Sequence, residues 1–357
     1  MTMLAELDLP RATDGKIAAI NLESARRGAW ARFAQDPRLH GAAEAIVYHE
    51  NLAAQFLGDL DALDRLEALA SQFARVDGSF RSALVQAEVA SAVHHFAEAR
   101  DHIAHAASLG APCEEIDRQS LGIDQACGVE LEAVLAARRR IAAGGRLEDL
   151  VPLGALLADL ERFAEADTVY RQALCSYDDV SPFPLAWVCF QLGMLWGEVV
   201  PEPDLNLAAL WYRRAIAYLP GYVKARVHLS EIHASRGQTR EAEALLVPAL
   251  SSSDPELRWR FADVLISQGR FEEGEGQLAA ARSGYEELLG RHLLAFADHA
   301  AEFYAGSGND HRRALELARA NVANRPTRRA VEQQHAIAQI IEGMPEISTS
   351  RWMRTNG

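Results

Sequence analysis

Apolar positions recur along this chain at intervals of three and four residues, and between them a small residue and an alanine return at fixed stations. One copy reads Leu150-Val-Pro-Leu153-Gly154-Ala-Leu-Leu157, then Ala166-Asp-Thr-Val-Tyr170 and Ala173; the next reads Leu192-Gly193-Met-Leu-Trp196, then Ala208-Ala-Leu-Trp-Tyr212, Ala215 and Pro220. In both, a glycine opens the unit, an alanine follows, and an aromatic stands four residues beyond the alanine. The period is helical, and the break between glycine and alanine predicts two antiparallel helices per unit. The anchor position can be followed through Ala62, Ala99, Ala133, Ala166, Ala208, Ala242, Gly274 and Ala314, at intervals of 32 to 42 residues. Eight hairpins are therefore expected. The two longest intervals call for insertions, read as loops at Val199 to Asp204 and within Gly284 to Gly308.

The register has a physical reason. A small residue in the first helix (Ala87, Gly154, Gly193, Ser230, Ala262) facing an alanine in the second lets two helices cross closely while bulky neighbours fill the grooves. One hairpin cannot bury both of its faces, so each borrows its neighbour's surface and the units stack. Leu160-Glu-Arg162, Arg236-Gly237-Gln238 and Gln268-Gly269-Arg270 fall between the helices of a unit, where glycine or a polar trio reverses the chain. At 357 residues, a single compact core would be large; a stacked array avoids that demand.

These elements, a bulky residue, Leu-Gly, an aromatic, Ala-x3-aromatic and then Pro, come in the order of the tetratricopeptide repeat, and the chain resembles that family from about Ala43 to Pro326. The resemblance implies an all-α, right-handed superhelical solenoid of about eight hairpins whose first helices line a concave groove for extended or helical peptides. The expected organisation is a flexible N-terminus over 1–15, a capping helix region over 16–42, the solenoid over 43–326, a C-terminal capping helix over 327–342 started by Thr327, and a disordered tail over 343–357. Some family members clamp an acidic tail with lysines and asparagines on the first helices. Here the matching positions offer Glu148, Val151, Ala155, Trp187, Phe190, Met194, Val227 and Glu231, with Lys224 almost alone as a base.

Charge narrows the partner. A formal net charge of −14 disfavours nucleic acid, whose phosphates need a basic surface. Arg138-Arg139-Arg140 and Arg328-Arg329 read as solvated helix ends. The first residues, Met1-Thr-Met-Leu-Ala-Glu-Leu-Asp, carry acids where a signal peptide needs bases, and no stretch suits a membrane span, so a cytoplasmic location is expected. Cys113, Cys127, Cys175 and Cys189 lack disulfide or zinc spacing and are read as free thiols. His102 and His105 share a helix face with Glu98 and Asp101, beside His94-His95, but match no metal motif, and no metal or cofactor is assigned. Ser251-Ser252-Ser253-Asp254 reads as turn and N-cap chemistry, and no catalytic motif is present, so no enzyme is expected.

Counting from the small residue of each unit places Trp187, Phe190, Met194, Val227, Glu231, Trp259 and Asp263 on the concave side as the candidate ligand-binding set. Aromatic anchors among acids suit an apolar segment flanked by Lys or Arg. The reading is a non-catalytic adaptor for such a protein or peptide; the alternative is an accessory protein that holds a small molecule, metal or carrier-bound intermediate. The tail segment Arg351-Trp352-Met353-Arg354 has a ligand-like composition and is a candidate to dock in the groove. Oligomeric state is left open.

Overall fold

A computed structural model describes residues 10–343. Among the described residues there are seventeen α-helices and no strand. A leading helix, α1 (Gly15–Gln35), precedes eight antiparallel hairpins. They are α2 (Ala42–Leu57) with α3 (Ala62–Val76), α4 (Phe80–Ala92) with α5 (Phe96–Ser108), α6 (Cys113–Cys127) with α7 (Leu131–Ala142), and α8 (Leu147–Asp159) with α9 (Phe163–Ser176). Then come α10 (Pro182–Met194) with α11 (Leu205–Tyr218), and α12 (Val223–Ser235) with α13 (Thr239–Leu246). The last two share a helix: α15 (Phe271–Ala305) bends at His292 (φ −137°, ψ 54°), so that its first limb pairs with α14 (Pro255–Ser267) and its second with α16 (His311–Asn324). A closing helix, α17 (Arg328–Gly343), packs on α16 and is capped by Thr327 Oγ1, which accepts from Ala330 N at 3.3 Å. The architecture is an all-α stack of antiparallel helical hairpins.

The glycine and the aromatic of the repeat prove to be two halves of one contact. A Cβ placed on Gly154 would lie 2.6 to 2.9 Å from three ring atoms of Tyr170, and one on Gly193 would lie 2.5 Å from Tyr212 Cδ1. The tyrosine four residues beyond the anchor alanine thus lies flat across the partner helix and fills the space that the missing side chain leaves. Ala87, Ser230 and Ala262 occupy the same station in other first helices and are fully buried. In the second helices Ala62, Ala99, Ala166, Ala208, Ala242 and Ala314 are fully buried too, and Gly274 packs where a Cβ would strike Ile266.

Three details depart from the expected register. Ala133 is exposed, because α7 turns Val134, Leu135, Arg138 and Ala142 inward instead. The stretch from Gly284 to Gly308 is not a loop over most of its length. It continues α15, with Tyr285, Leu288 and Leu289 buried, and Gly284 packs closely on α14, where a Cβ would stand 3.0 Å from Pro255 Cβ. The insertion near Val199 begins earlier, as a widened π-type turn over Leu195–Val199 that prolongs α10. The four cysteines are free, as read from their spacing.

The stack also closes on itself. Ala18 and Leu22 of α1, with Ala53 and Phe56 of α2, join the same apolar core as α8 to α12, and the Phe56 ring lies 5.3 Å from Phe183 and 4.8 Å from Tyr222 between centroids. Gly58 O accepts from Ser252 Oγ (2.9 Å), Ser253 Oγ (3.0 Å) and Ser253 N (3.1 Å), and Leu60 N donates to Ser253 Oγ (2.9 Å). The serines of the linker are therefore a seam to the first hairpin, while Asp254 caps α14. Before α1, Thr13 N donates to Val180 O and Tyr218 Oη to Pro10 O, each at 2.8 Å, so residues 10–14 are tied to later inter-repeat turns. The proposed tail, with Arg351-Trp352-Met353-Arg354, lies outside the described residues.

Tyr212 has nowhere to move: it is fully buried, stacked on His228 and tilted against Phe190. Gly193→Ala is expected to destabilise the protein by about 1–3 kcal/mol through overpacking and to lower its melting midpoint. Exposed Gly276→Ala, where a Cβ meets nothing within 4 Å, is the control and should raise the midpoint slightly through better helix propensity. Equal midpoints for the two variants would contradict the close crossing.

Candidate functional site

The first helices α12 and α14 run side by side and project Glu231 and Asp263, two of the expected concave residues, into one cleft of about 160 Å³ lined also by Ser230, Ala234, Arg260 and Val264. The helical spacing explains the set: His228 and Glu231 stand three apart on α12, and Glu256, Arg260 and Asp263 fall on one face of α14. The π-type turn after α10 brings in Glu198 from a third repeat. Such turns widen the helix by one residue, which re-aims the side chains beyond them.

The charges interlock. His228 Nδ1 lies 2.6 Å from Glu198 Oε1 and 3.5 Å from Glu231 Oε2, while Arg260 Nε lies 2.8 Å from Glu231 Oε1 and its Nη2 3.0 Å from Glu302 Oε1 and 3.7 Å from Glu256 Oε1. Tyr212 Oη donates to Glu198 Oε1 at 3.2 Å. Arg260 stacks on the Trp259 ring, its guanidinium carbon 3.6 Å from the centroid, a favourable cation–π geometry. Five carboxylates (Glu198, Glu231, Glu256, Asp263, Glu302) thus gather around His228 and Arg260, with His299 Nδ1 3.9 Å from Glu256 Oε2 and the charges of Lys224 and Arg329 acting on Glu256 and Glu198.

Burial and charge compete at each group. Desolvation would lower the His228 pKa, but the hydrogen bond and charge of Glu198, reinforced by Glu231 and Glu256, push it up to about 9. Glu231 is raised to about 7, because its own desolvation outweighs Arg260 and His228. Desolvation also raises Asp263, against the hydrogen bond from Ser307. Glu198 and Glu256 are desolvated as well, yet His228 holds the first below the usual carboxylate range, and His299, His228 and Arg260 hold the second there.

The other expected site residues go elsewhere. Phe190, Val227 and Trp259 are buried: Phe190 packs among Tyr212, Tyr222 and His228, Val227 lies in the core of α12 to α14, and Trp259 meets Phe303 edge-on. The Trp259 indole N–H donates to Ser307 Oγ (2.9 Å), which donates on to Asp263 Oδ1 (2.7 Å), so this tryptophan orients the wall of the cleft from below. Trp187 and Met194 on α10 stay half-buried. Arg260 and His228 were missed in the sequence, although their i,i+4 and i,i+3 spacing to Glu256 and Glu231 was there to be read. In the other histidine group, His95 and His102 each reach Glu98 at 3.4 Å, while His94 turns to Leu294 O at 3.2 Å and burial pushes its pKa down to about 4.

No family model matches the sequence, and no curated protein does. Solved structures similar to this chain include a tetratricopeptide repeat protein from Parabacteroides merdae (14% identity, 73% of this chain and 100% of that one, TM-score 0.41). Another is the APC/C hetero-tetramer Cut9–Hcn1 (12% identity, 85% and 58% covered, TM-score 0.44), and a third is a human IFIT1 dimer with m7Gppp-AAAA (15% identity, 88% and 74% covered, TM-score 0.40). Among the described residues no helix is long and apolar enough to cross a membrane.

The shifted groups give the cluster a pH signature. His228 binds its proton more tightly in the folded chain, so its contribution to stability is fully present below about 6.5 and is lost as pH rises through about 9. Glu231, raised from 4.5 to about 7, acts in the same direction: between those values the folded state holds a proton the unfolded chain has given up, and rising pH favours unfolding. The melting midpoint should therefore fall between pH of about 6.5 and about 9, and His228→Gln should flatten that decline. An identical slope in the variant would show that His228 is not the group responsible.

Proposed function

We propose that this chain is a non-catalytic binding scaffold, and that the acidic cleft between α12 and α14 holds a cationic side chain from an apolar segment of a protein partner. The supporting observation is a group of carboxylates in a desolvated place: Glu198, Glu231, Glu256, Asp263 and Glu302 gather around His228 and Arg260, and burial, with Glu256 and Glu198 adding to it, raises the Glu231 pKa to about 7. An arriving Lys or Arg relieves like-charge repulsion that the folded chain otherwise keeps, so the same arrangement that strains the free protein favours the ligand. Half-buried Trp187 and Met194 on α10 supply apolar surface along the same row of first helices, and methionine adapts to the shape it meets. The overall acidity of the chain, −14, argues in the same direction and against a nucleic-acid partner. A repeat array suits this role, since its stacked first helices present a continuous surface.

Calorimetry with two peptides of equal length and apolar content, one flanked by arginines and one by glutamates, tests the reading. The basic peptide should bind at least about tenfold more tightly, about 1.4 kcal/mol, and its advantage should shrink as salt rises. The double variant Glu231→Gln, Asp263→Asn should abolish most of that preference. Tighter binding of the acidic peptide, or a preference unmoved by the double variant, would overturn the proposal.

A further inference from the structure

His292 stands at the bend of α15, where its non-helical backbone (φ −137°, ψ 54°) turns the imidazole inward until none of the side chain is exposed. Its Nε2 lies 2.9 Å from Asp64 Oδ1 on α3. A carboxylate accepts but cannot donate, so Nε2 carries a proton in this contact, and the tautomer that goes with it has its lone pair on Nδ1. That Nδ1 is buried and has no hydrogen-bond partner. Leaving a polar atom so placed costs free energy, and native proteins rarely do so without a use for it. What Nδ1 does face is Glu67 Oε2, at 3.9 Å.

From this geometry we infer a divalent-cation site of the zinc type, with His292 Nδ1 and Glu67 as protein ligands and Asp64 as the residue that orients the ring. Zinc binds imidazole nitrogen at about 2.0–2.1 Å and carboxylate oxygen at about 2.0–2.2 Å, so one ion placed off the line between them reaches both atoms, and a rotation of the half-exposed Glu67 side chain that closes the gap by about 0.5 Å gives a tetrahedral angle. Ligand atoms of Asp64, Glu67 and His292 all lie within 4.8 Å of one another. The carboxylate that takes the other ring N–H raises the basicity of the ligating nitrogen and locks its tautomer, the arrangement common behind zinc-bound histidines. Water completes the shell, since Asp64 and Glu67 are both partly open to solvent.

The surrounding charge agrees. Asp61, Asp64, Glu67 and Glu287 gather here, and Arg291, which pairs with Asp61, Asp64 and Glu287, is the cation set against them. A divalent ion would remove most of the remaining negative charge. The position gives such an ion a structural consequence: α3 belongs to the first hairpin, and the bend of α15 joins the last two, so the metal would pin the beginning of the solenoid to its end. Mixed nitrogen and oxygen ligands, few in number, select a borderline metal at moderate affinity instead of calcium or magnesium, which take oxygen cages.

The test uses the full chain, stripped with chelator. Titration calorimetry with ZnCl2 should show one equivalent bound with micromolar affinity, the thermal midpoint should rise with added zinc, and Co2+ should give visible absorption of a nitrogen- and oxygen-ligated ion. Glu67→Gln, at a half-exposed position, should weaken zinc at least about tenfold, and Asp64→Asn should weaken it by a smaller factor within the range of about 10–100 seen for orienting partners. A cooperative melt of each metal-free variant shows that it is folded. Glu98→Gln, in the His95–His102 pair, should leave the affinity as it is. Absence of zinc binding in the wild type, unchanged affinity in Glu67→Gln, or loss of binding in Glu98→Gln would each overturn the assignment.

Discussion

The hairpins depend on a steric exchange between two positions far apart in the sequence and in direct contact in space. Where a first helix carries Gly154 or Gly193, the second carries Tyr170 or Tyr212, and the ring occupies the volume the side chain would have filled. Interiors are packed to crystal-like density, so a contact of this kind sets the distance and the rotation of the two helices together. The consequence reaches the candidate site. Tyr212, held by Gly193 from behind, stacks on His228 and donates to Glu198, so the crossing that shapes the repeat also places the pair at the edge of the acidic cluster.

The second constraint is closure. A solenoid with free ends holds each repeat only through its neighbours. Here α1 and α2 share the core of α8 to α12, Gly58 is bound by Ser252 and Ser253, and His94 and Asn324 join the second hairpin to the last through Leu294 O and His94 O. Contacts of such sequence separation tie early and late repeats into one body. They also hold the spacing of α10, α12 and α14, from which the candidate site is assembled.

Much of this was legible in the chain. The anchors at Ala62, Ala99, Ala166, Ala208, Ala242 and Ala314 fell in place because a close crossing leaves a local signal, a small residue at a helical interval from a bulky one. Ala133 failed for the same reason turned round: alanine is also a common exposed helix former, and its neighbours Val134 and Leu135 carry the burial. The interval from Gly284 to Gly308 reads as holding a loop, yet Gly284 serves packing against Pro255 inside α15. Of the expected ligand-binding set, Glu231 and Asp263 meet in one cleft. The roles of Phe190, Val227 and Trp259 within the core, the serine seam and the inward turn of His292 were not, since each is decided by partners from other repeats.

The central claim is that the acidic cleft is where a cationic, apolar segment is received, and mapping of backbone amide and indole resonances during titration with an arginine-flanked apolar peptide tests it most directly. The account predicts that the shifts gather at Glu231, Arg260 and Asp263 and at the Trp259 indole N–H, which reports on the cleft through Ser307. Shifts that instead gather on the face bearing His95 and His102, with the Trp259 indole unmoved at saturation, would contradict it.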